Sequence, residues 1–303
     1  MYEQIAANKR KTVLLVLGAL VLFGIVGYVI GALYLTSGWV GLAIALVIAA
    51  AMSIASYRYG DRLVLASTRA KAVSPEAEPR LHNIVEGIAI AAGVPKPAVY
   101  VVPEQAPNAF ATGRDPEHSS IALTQGLLDM MNRVELEGVI GHELAHVQDR
   151  DILVGTIVAT LVGAIVLVSE FFLRFWWIGG AGRRRDSSGD GGGIFGIALL
   201  VIGILLMILA PIAGQVIKLA VSRNREYLAD AQGALLTRYP PGLISALRKI
   251  GASPTAMRSA NNATAHLWLS QPSRIPGEST TRLERLFSTH PPIEDRIRRL
   301  EEM

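Results

Sequence analysis

Apolar residues gather into three long runs, Thr12–Tyr57, Ile152–Leu173 and Ile194–Ile217, which together hold 92 residues and a single charge, Glu170. A helix needs about 20 apolar residues to cross the hydrocarbon core of a bilayer. The first run is long enough for two such helices, with Leu35-Thr36-Ser37-Gly38 as the natural break, and each of the others supplies one. Four membrane helices are therefore expected. Gly27 and Gly31 form a GxxxG pair that hints at close helix packing in the first. Glu170 sits near the end of its span, where it reads as an interfacial carboxylate.

Between the runs the pattern changes. Ala77–Gly93 alternates as an amphipathic helix with an early proline and a terminal glycine. Pro97–Val102, Asn108–Gly113 and Ser119–Thr124 read as short strands, and Ile293–Glu302 as a helix. Arg258–Gln271 carries less charge than its neighbours and suits either a membrane surface or the lining of a cleft. The expected fold is mainly α with a small β-sheet, a water-soluble domain fused to about four transmembrane helices. Its expected parts are a membrane hairpin at 1–57, a first soluble part at 58–151, a second membrane hairpin at 152–217 with a Gly/Arg-rich loop at 174–193, and a second soluble part at 218–303.

Composition sharpens this picture. The 211 residues outside the apolar runs hold 53 charges, the ordinary quarter of a soluble domain. That excludes a wholly soluble protein, a disordered chain and a transporter made only of membrane helices. Cysteine is absent, which removes disulfides, thiol nucleophiles and thiolate metal sites. The net charge of +4 is accounted for by Lys/Arg beside the membrane runs, and no nucleic-acid motif accompanies it. Lys9, Arg10 and Lys11 precede the first hairpin, and Arg58, Arg62, Arg69 and Lys71 follow it. The positive-inside rule then puts the N-terminus and residues 58–151 in the cytoplasm. Arg174 and Arg183–Arg185, between the third and fourth runs, pull against a simple two-hairpin threading.

Candidate chemistry lies at Val139–Val147, an uncharged, helix-compatible run apart from its His-Glu-Leu-Ala-His core. The i, i+4 spacing stacks His142 and His146 on one helix face, where two imidazoles can share a zinc ion, and Glu143 can reach a water beside it. A catalytic zinc site takes three protein ligands. Asp149 is so close to His146 that it would crowd the metal. Glu226, in Ser222-Arg223-Asn224-Arg225-Glu226-Tyr227-Leu228-Ala229-Asp230, is the better candidate, with Asp230 one turn on and able to orient a ligand histidine. Spacing alone leaves Glu226 open between a ligand and a solvated charge beside Arg223 and Arg225. His82, His118 and His266 have no ligand partners at useful spacing and read as surface or packing residues.

These motifs resemble the HtpX-type integral-membrane zinc metalloproteases, gluzincins related to the CAAX prenyl proteases. The resemblance covers nearly the whole chain: paired N-terminal spans, the HELAH helix running to Arg150-Asp151, two further spans, SRNREYLAD, and Thr289-His290-Pro291-Pro292 with Arg296. It implies a zincin-like domain, Glu226 as third zinc ligand, Asp230 as the carboxylate behind a ligand, and a recurrent Asp at Asp151. It also implies that His290 and Arg296 lie near the substrate, able to steady an oxyanion, and that Asn108, Ala109 and Phe110 form an edge strand for an extended peptide. From spacing alone, His290-Pro291-Pro292 is a turn and Asn108–Gly113 a plain hairpin strand.

The expected activity is a membrane-embedded zinc endopeptidase with one Zn2+ per chain. Its site faces the cytoplasm, and by resemblance it acts in quality control of damaged membrane proteins. The alternatives are a non-catalytic zinc-stapled binding protein, a prenyl-protein protease, and a channel, which the nearly charge-free spans disfavour. Shared zinc ligation by His142 and Glu226 would force the third and fourth spans into a hairpin, outweighing the loop arginines.

Overall fold

The computed structural model describes residues 2–34, 37–165, 223–255, 257, 264–270 and 291–303. The fourth expected span, the end of the third with Glu170, the 174–193 loop, His290 and half of 258–271 lie outside the described residues.

Helix α1 (Tyr2–Tyr34) and helix α2 (Gly38–Ser67) form the expected N-terminal hairpin, and both are long and apolar enough to cross a membrane. Ser37 caps α2 by accepting the Trp39 N–H. The hairpin closes on glycines. A Cβ on Gly27 would come within 2.7 Å of the Gly41 carbonyl oxygen, and one on Gly31 within 2.7 Å of Gly41 Cα. The outward faces carry exposed aliphatic side chains, among them Leu14, Val21, Val47 and Ile54. So large an exposed apolar surface calls for lipid or another apolar partner. Helix α2 continues ten residues past Tyr57, through Arg58, Asp61 and Arg62. Charge ends an apolar run but not a helix. Gly60 on this extension packs against Thr156 of the next apolar helix, so closely that a Cβ there would lie 2.7 Å from the threonine methyl.

The soluble part is a four-stranded sheet covered by helices. Strands β1 (Lys71–Ala72), β2 (Ala98–Val102), β3 (Ala109–Gly113) and β4 (Ser119–Thr124) lie in the order β1-β2-β4-β3. The β2–β4 pair is parallel and the other two are antiparallel. The two-residue β1 has too short a pattern to be read from sequence. Helix α3 (Pro79–Ala92) starts on its proline and ends at Gly93, whose φ of 66° closes the helix in the left-handed conformation. The short α4 (Gln125–Met130) leads into α5 (Arg133–Gln148).

Helix α5 is the axis of the domain. Asn132 and Glu135 form a reciprocal capping box at its start. Leu136, Val139, Ile140, Leu144 and Val147 are all buried, so the helix is packed on every side. It is covered by α3, the sheet, and two later helices, α7 (Arg223–Thr237) and α8 (Pro240–Ala252). After Gln148 the chain turns at Arg150, which takes a φ of 58°, and enters α6 (Asp151–Ile165), the described start of the third apolar run. Helix α9 (Ile293–Glu301) closes the fold over α7 and α8.

Candidate metal centre

Two helices are brought close enough to share a metal by a pair of glycines. Where α5 crosses α7, a Cβ on Gly233 would lie 2.7 Å from the His142 backbone nitrogen, and one on Gly141 would lie 3.0 Å from the Gly233 carbonyl oxygen. Glu226 lies two turns before Gly233 on the same face of α7, so this approach carries its carboxylate to the histidine pair.

The ligand atoms of His142, His146 and Glu226 all lie within 4.8 Å of one another. His142 Nε2 is 3.2 Å from His146 Nε2 and 3.8 Å from Glu226 Oε2, and His146 Nε2 is 3.6 Å from Glu226 Oε1. Ligands on one tetrahedral zinc, with bonds of about 2.0–2.1 Å, sit about 3.3 Å apart. The donor set fits such an ion chemically as well. Each Nδ1 faces a carboxylate: His142 Nδ1 is 2.9 Å from Asp230 Oδ1, and His146 Nδ1 is 3.1 Å from Asp151 Oδ2. An Nδ1–H donating to its carboxylate leaves the lone pair on Nε2. Two such lone pairs converging at 3.2 Å beside a carboxylate form a donor set for a cation, and without one a second proton on His146 can bridge them.

Behind this cluster stands Arg296, fully buried. Its Nε donates to Asp230 Oδ2 at 2.8 Å and its Nη2 to Asp230 Oδ1 at 2.6 Å, a two-pronged grip, while Nη1 donates to the Leu269 carbonyl at 2.8 Å. Its Nη2 also comes within 3.3 Å of His142 Nδ1, but a protonated Nδ1 cannot accept, so Arg296 works on Asp230. This corrects the expectation that Arg296 meets the substrate. It lies behind His142 and orients it through Asp230. Asp151 is gripped similarly: Arg225 Nη1 donates to its Oδ1 at 2.9 Å, and Asn8 of α1 donates to the same oxygen.

Burial and charge set the protonation of the site. Burial would raise Asp230, but the Arg296 guanidinium overrides it and holds the carboxyl well below the usual range. Burial also works to raise Asp151, and its hydrogen bond with His146 and the Arg225 charge bring it down to about 2. Burial lowers His142. It acts the same way on His146, but the Asp151 hydrogen bond and the Glu226 charge prevail and raise that imidazole to about 9. Glu143 is pushed up to about 7, first by burial, with the Glu226 charge adding to it and His146 opposing. The Ala111 backbone N–H also opposes the rise. A carboxyl near neutrality suits a group that must both take and return a proton.

The cleft over these groups is lined by Ala111, Glu143, Ile152, Gly155, His266 and Leu267 among others, and is about 60 Å3. Thus the described part of 258–271 faces the cleft. His266 is buried, with Nε2 3.1 Å from the Gly155 carbonyl oxygen, rather than at the surface. His82 packs with Nε2 3.0 Å from the Val73 carbonyl, and His118 is exposed beside Asp115. The expected substrate edge needs correction too. Asn108, Ala109 and Phe110 are buried, and the chain's own Leu269-Ser270 lies along them. The Leu269 N–H donates to the Ala109 carbonyl at 2.9 Å, and the Asn108 amide exchanges two hydrogen bonds with the Ser270 backbone. Trp268, also fully buried, holds the segment there, edge-to-face on Phe110 at 4.7 Å. Ala111 is the β3 residue that reaches the cleft.

Sequence reasoning missed Asn8, whose lone position ahead of a basic cluster carries no periodic or motif signal. It also missed Gly141 and Gly233, whose need for close approach shows only once α5 and α7 are crossed.

Comparisons with known proteins show the family. The family model for peptidase family M48 matches residues 75–303. A Protease HtpX homolog of Caldanaerobacter subterraneus subsp. tengcongensis is 48% identical over 100% of this chain and 98% of its own length. One of Lactobacillus acidophilus is 45% identical over 100% of both. Among solved structures, the crystal structure of S. mikatae Ste24p matches with a TM-score of 0.49 at 18% identity, covering 99% of this chain and 67% of that one. With HELAH on α5, a carboxylate brought to it from α7 and relatives matched along their whole length, the chain belongs to peptidase family M48, among the HtpX-type proteases, and is a metalloprotease.

Proposed function

We propose that the chain is a membrane-embedded zinc endopeptidase that holds one Zn2+ with His142, His146 and Glu226. The observation that carries this reading is the convergence of these three ligand atoms from two helices 80 residues apart in sequence, with both imidazole Nδ1 atoms engaged by carboxylates. Zinc in such a site supplies Lewis acidity, which acidifies a water and polarises a peptide carbonyl. The protein's own groups do the rest. Asp230 and Asp151 hold the imidazoles in the tautomer that presents Nε2. Glu143 takes the proton of the attacking water on its carboxylate and delivers it to the leaving amine nitrogen.

The natural substrates in this reading are damaged or misassembled membrane proteins. Membrane hairpins at 1–57 and 152–217 would carry the protease halves at 58–151 and 218–303 on the cytoplasmic side. The Lys/Arg flanks of the first hairpin support that orientation.

Glu143→Gln tests the core of the proposal. It should retain one zinc per chain and lose cleavage of an unfolded test protein by at least about a hundredfold, within the range of general acid–base contributions. A chelator should abolish parent activity and added zinc should restore it. Full activity of the Gln variant would remove Glu143 from the reaction.

A further inference from the structure

We propose that Asn8, at the start of the first membrane helix, is a positioning residue of the metal centre, holding Asp151 in place for His146. This rests on the zinc reading above.

Asn8 is 2% exposed, although its neighbours Ala7, Lys9 and Arg10 on the same turn are exposed. A buried amide needs partners for its hydrogens, and here both Nδ2 hydrogens are used. One goes to the Asp149 carbonyl at 3.0 Å and the other to Asp151 Oδ1. Thr12, one turn further along α1 and also buried, donates to the Asn8 carbonyl at 3.0 Å and steadies the turn.

The two acceptors sit at a critical joint. Asp149 ends the metal-ligand helix α5, Arg150 turns the chain at a φ of 58°, and Asp151 opens α6. Asn8 bridges the joint from outside. On Asp151 the division of labour is clear. Oδ1 is held from one side by Asn8 of α1 and from the other by Arg225 of α7, which leaves Oδ2 for His146 Nδ1 at 3.1 Å. With Oδ1 gripped by Arg225 alone, the carboxylate is free to swing toward α7. The His146 ring then loses the partner that sets its tautomer and orientation. Partners behind a metal-binding histidine tune affinity about 10–100-fold. The first membrane helix is therefore part of the catalytic apparatus as well as an anchor, and the centre is assembled from α1, the α5–α6 joint and α7.

The test uses the full-length chain in detergent. Asn8→Asp keeps the shape and sets an oxygen where the donor was, against the Asp151 carboxylate. It should weaken zinc binding about tenfold or more in competition with a chromogenic chelator, lower kcat with KM unchanged, and alter the visible absorption of the cobalt-substituted protein. Lys9→Ala, one exposed residue along, should change none of these. Asn8→Ala, which only deletes the amide, should weaken zinc binding in the same direction and cost less on top of Asp151→Ala than alone, because the part it plays through that carboxylate is then already lost. That pair decides the matter if the Asp variant does not fold. Unchanged zinc competition and an unchanged cobalt spectrum, with only a lower melting temperature, would overturn the proposal. So would fully additive losses with Asp151→Ala. A parent chain that binds no zinc would sink the zinc reading itself.

Discussion

At the scale of single residues, the centre depends on charges that are buried only because they are paired. Arg296 and Asp230 lie together behind His142 with no exposed surface on the guanidinium. Removing one partner of such a pair strands the other, at a cost of about 3–5 kcal/mol. Arg296→Met should lower the stability of the solubilised protein by that much, read as a drop in melting temperature, and weaken zinc binding by freeing Asp230. Arg296→Lys should not rescue it, since an ammonium cannot make the two-pronged contact. Combining Arg296→Met with Asp230→Leu should recover part of the stability, though not the metal affinity. The histidine pair was legible because i, i+4 spacing and residue chemistry are local facts, whereas spacing left Glu226 open and the resemblance pointed to it. Arg296 was misplaced because resemblance put it near the substrate, while its actual partner, Asp230, is 66 residues away in sequence.

Elements show the same division. Helix α3 and strands β2 to β4 were legible from their apolar patterns and flanking prolines and glycine, and the middle of α5 from its motif, though not its capped start at Asn132. What covers each element was not. The β3 edge reads as open from sequence, yet Leu269-Ser270 fills it, because a buried Trp268 on Phe110 pins a segment about 160 residues distant. The α5–α7 crossing is similarly invisible in either helix alone, and it makes a sharp prediction. Gly233→Ala would set a methyl 2.7 Å from the His142 nitrogen, and backbone cannot yield as a flexible side chain can. The helices must part, carrying Glu226 away from the histidines. Overpacking of this kind costs about 1–3 kcal/mol, and zinc affinity should fall along with stability. Gly141→Ala, with its tightest contact at 3.0 Å, should do the same more mildly. Equal zinc affinity in parent and Gly233→Ala proteins would show that the crossing does not set the ligand geometry.

For the molecule as a whole, the charge-poor runs made the membrane part legible, and the described α1 and α2 match the first of them as a close-packed hairpin. Threading is a separate matter, governed by closure rather than by composition. His142 precedes the third apolar run and Glu226 follows the fourth, yet their ligand atoms lie within 4.8 Å of one another. If both runs cross the bilayer, as the proposed function has it, residues before and after the pair must share one side. Asn8 meets Asp149 and Asp151, so in that threading the N-terminal end of α1 shares the side too. The absence of cysteine makes this directly measurable. Single cysteines at Lys9→Cys and Glu294→Cys should react with a membrane-impermeant maleimide only in inverted vesicles. Arg184→Cys, in the loop between the two runs, should react only in intact cells. Its three consecutive arginines favour the cytoplasm, but that preference is statistical, whereas a shared metal ion requires ligand atoms a few ångströms apart. Labelling of all three positions from the same side would show that the intervening runs do not cross as a hairpin, and the two-hairpin membrane architecture would fail with it.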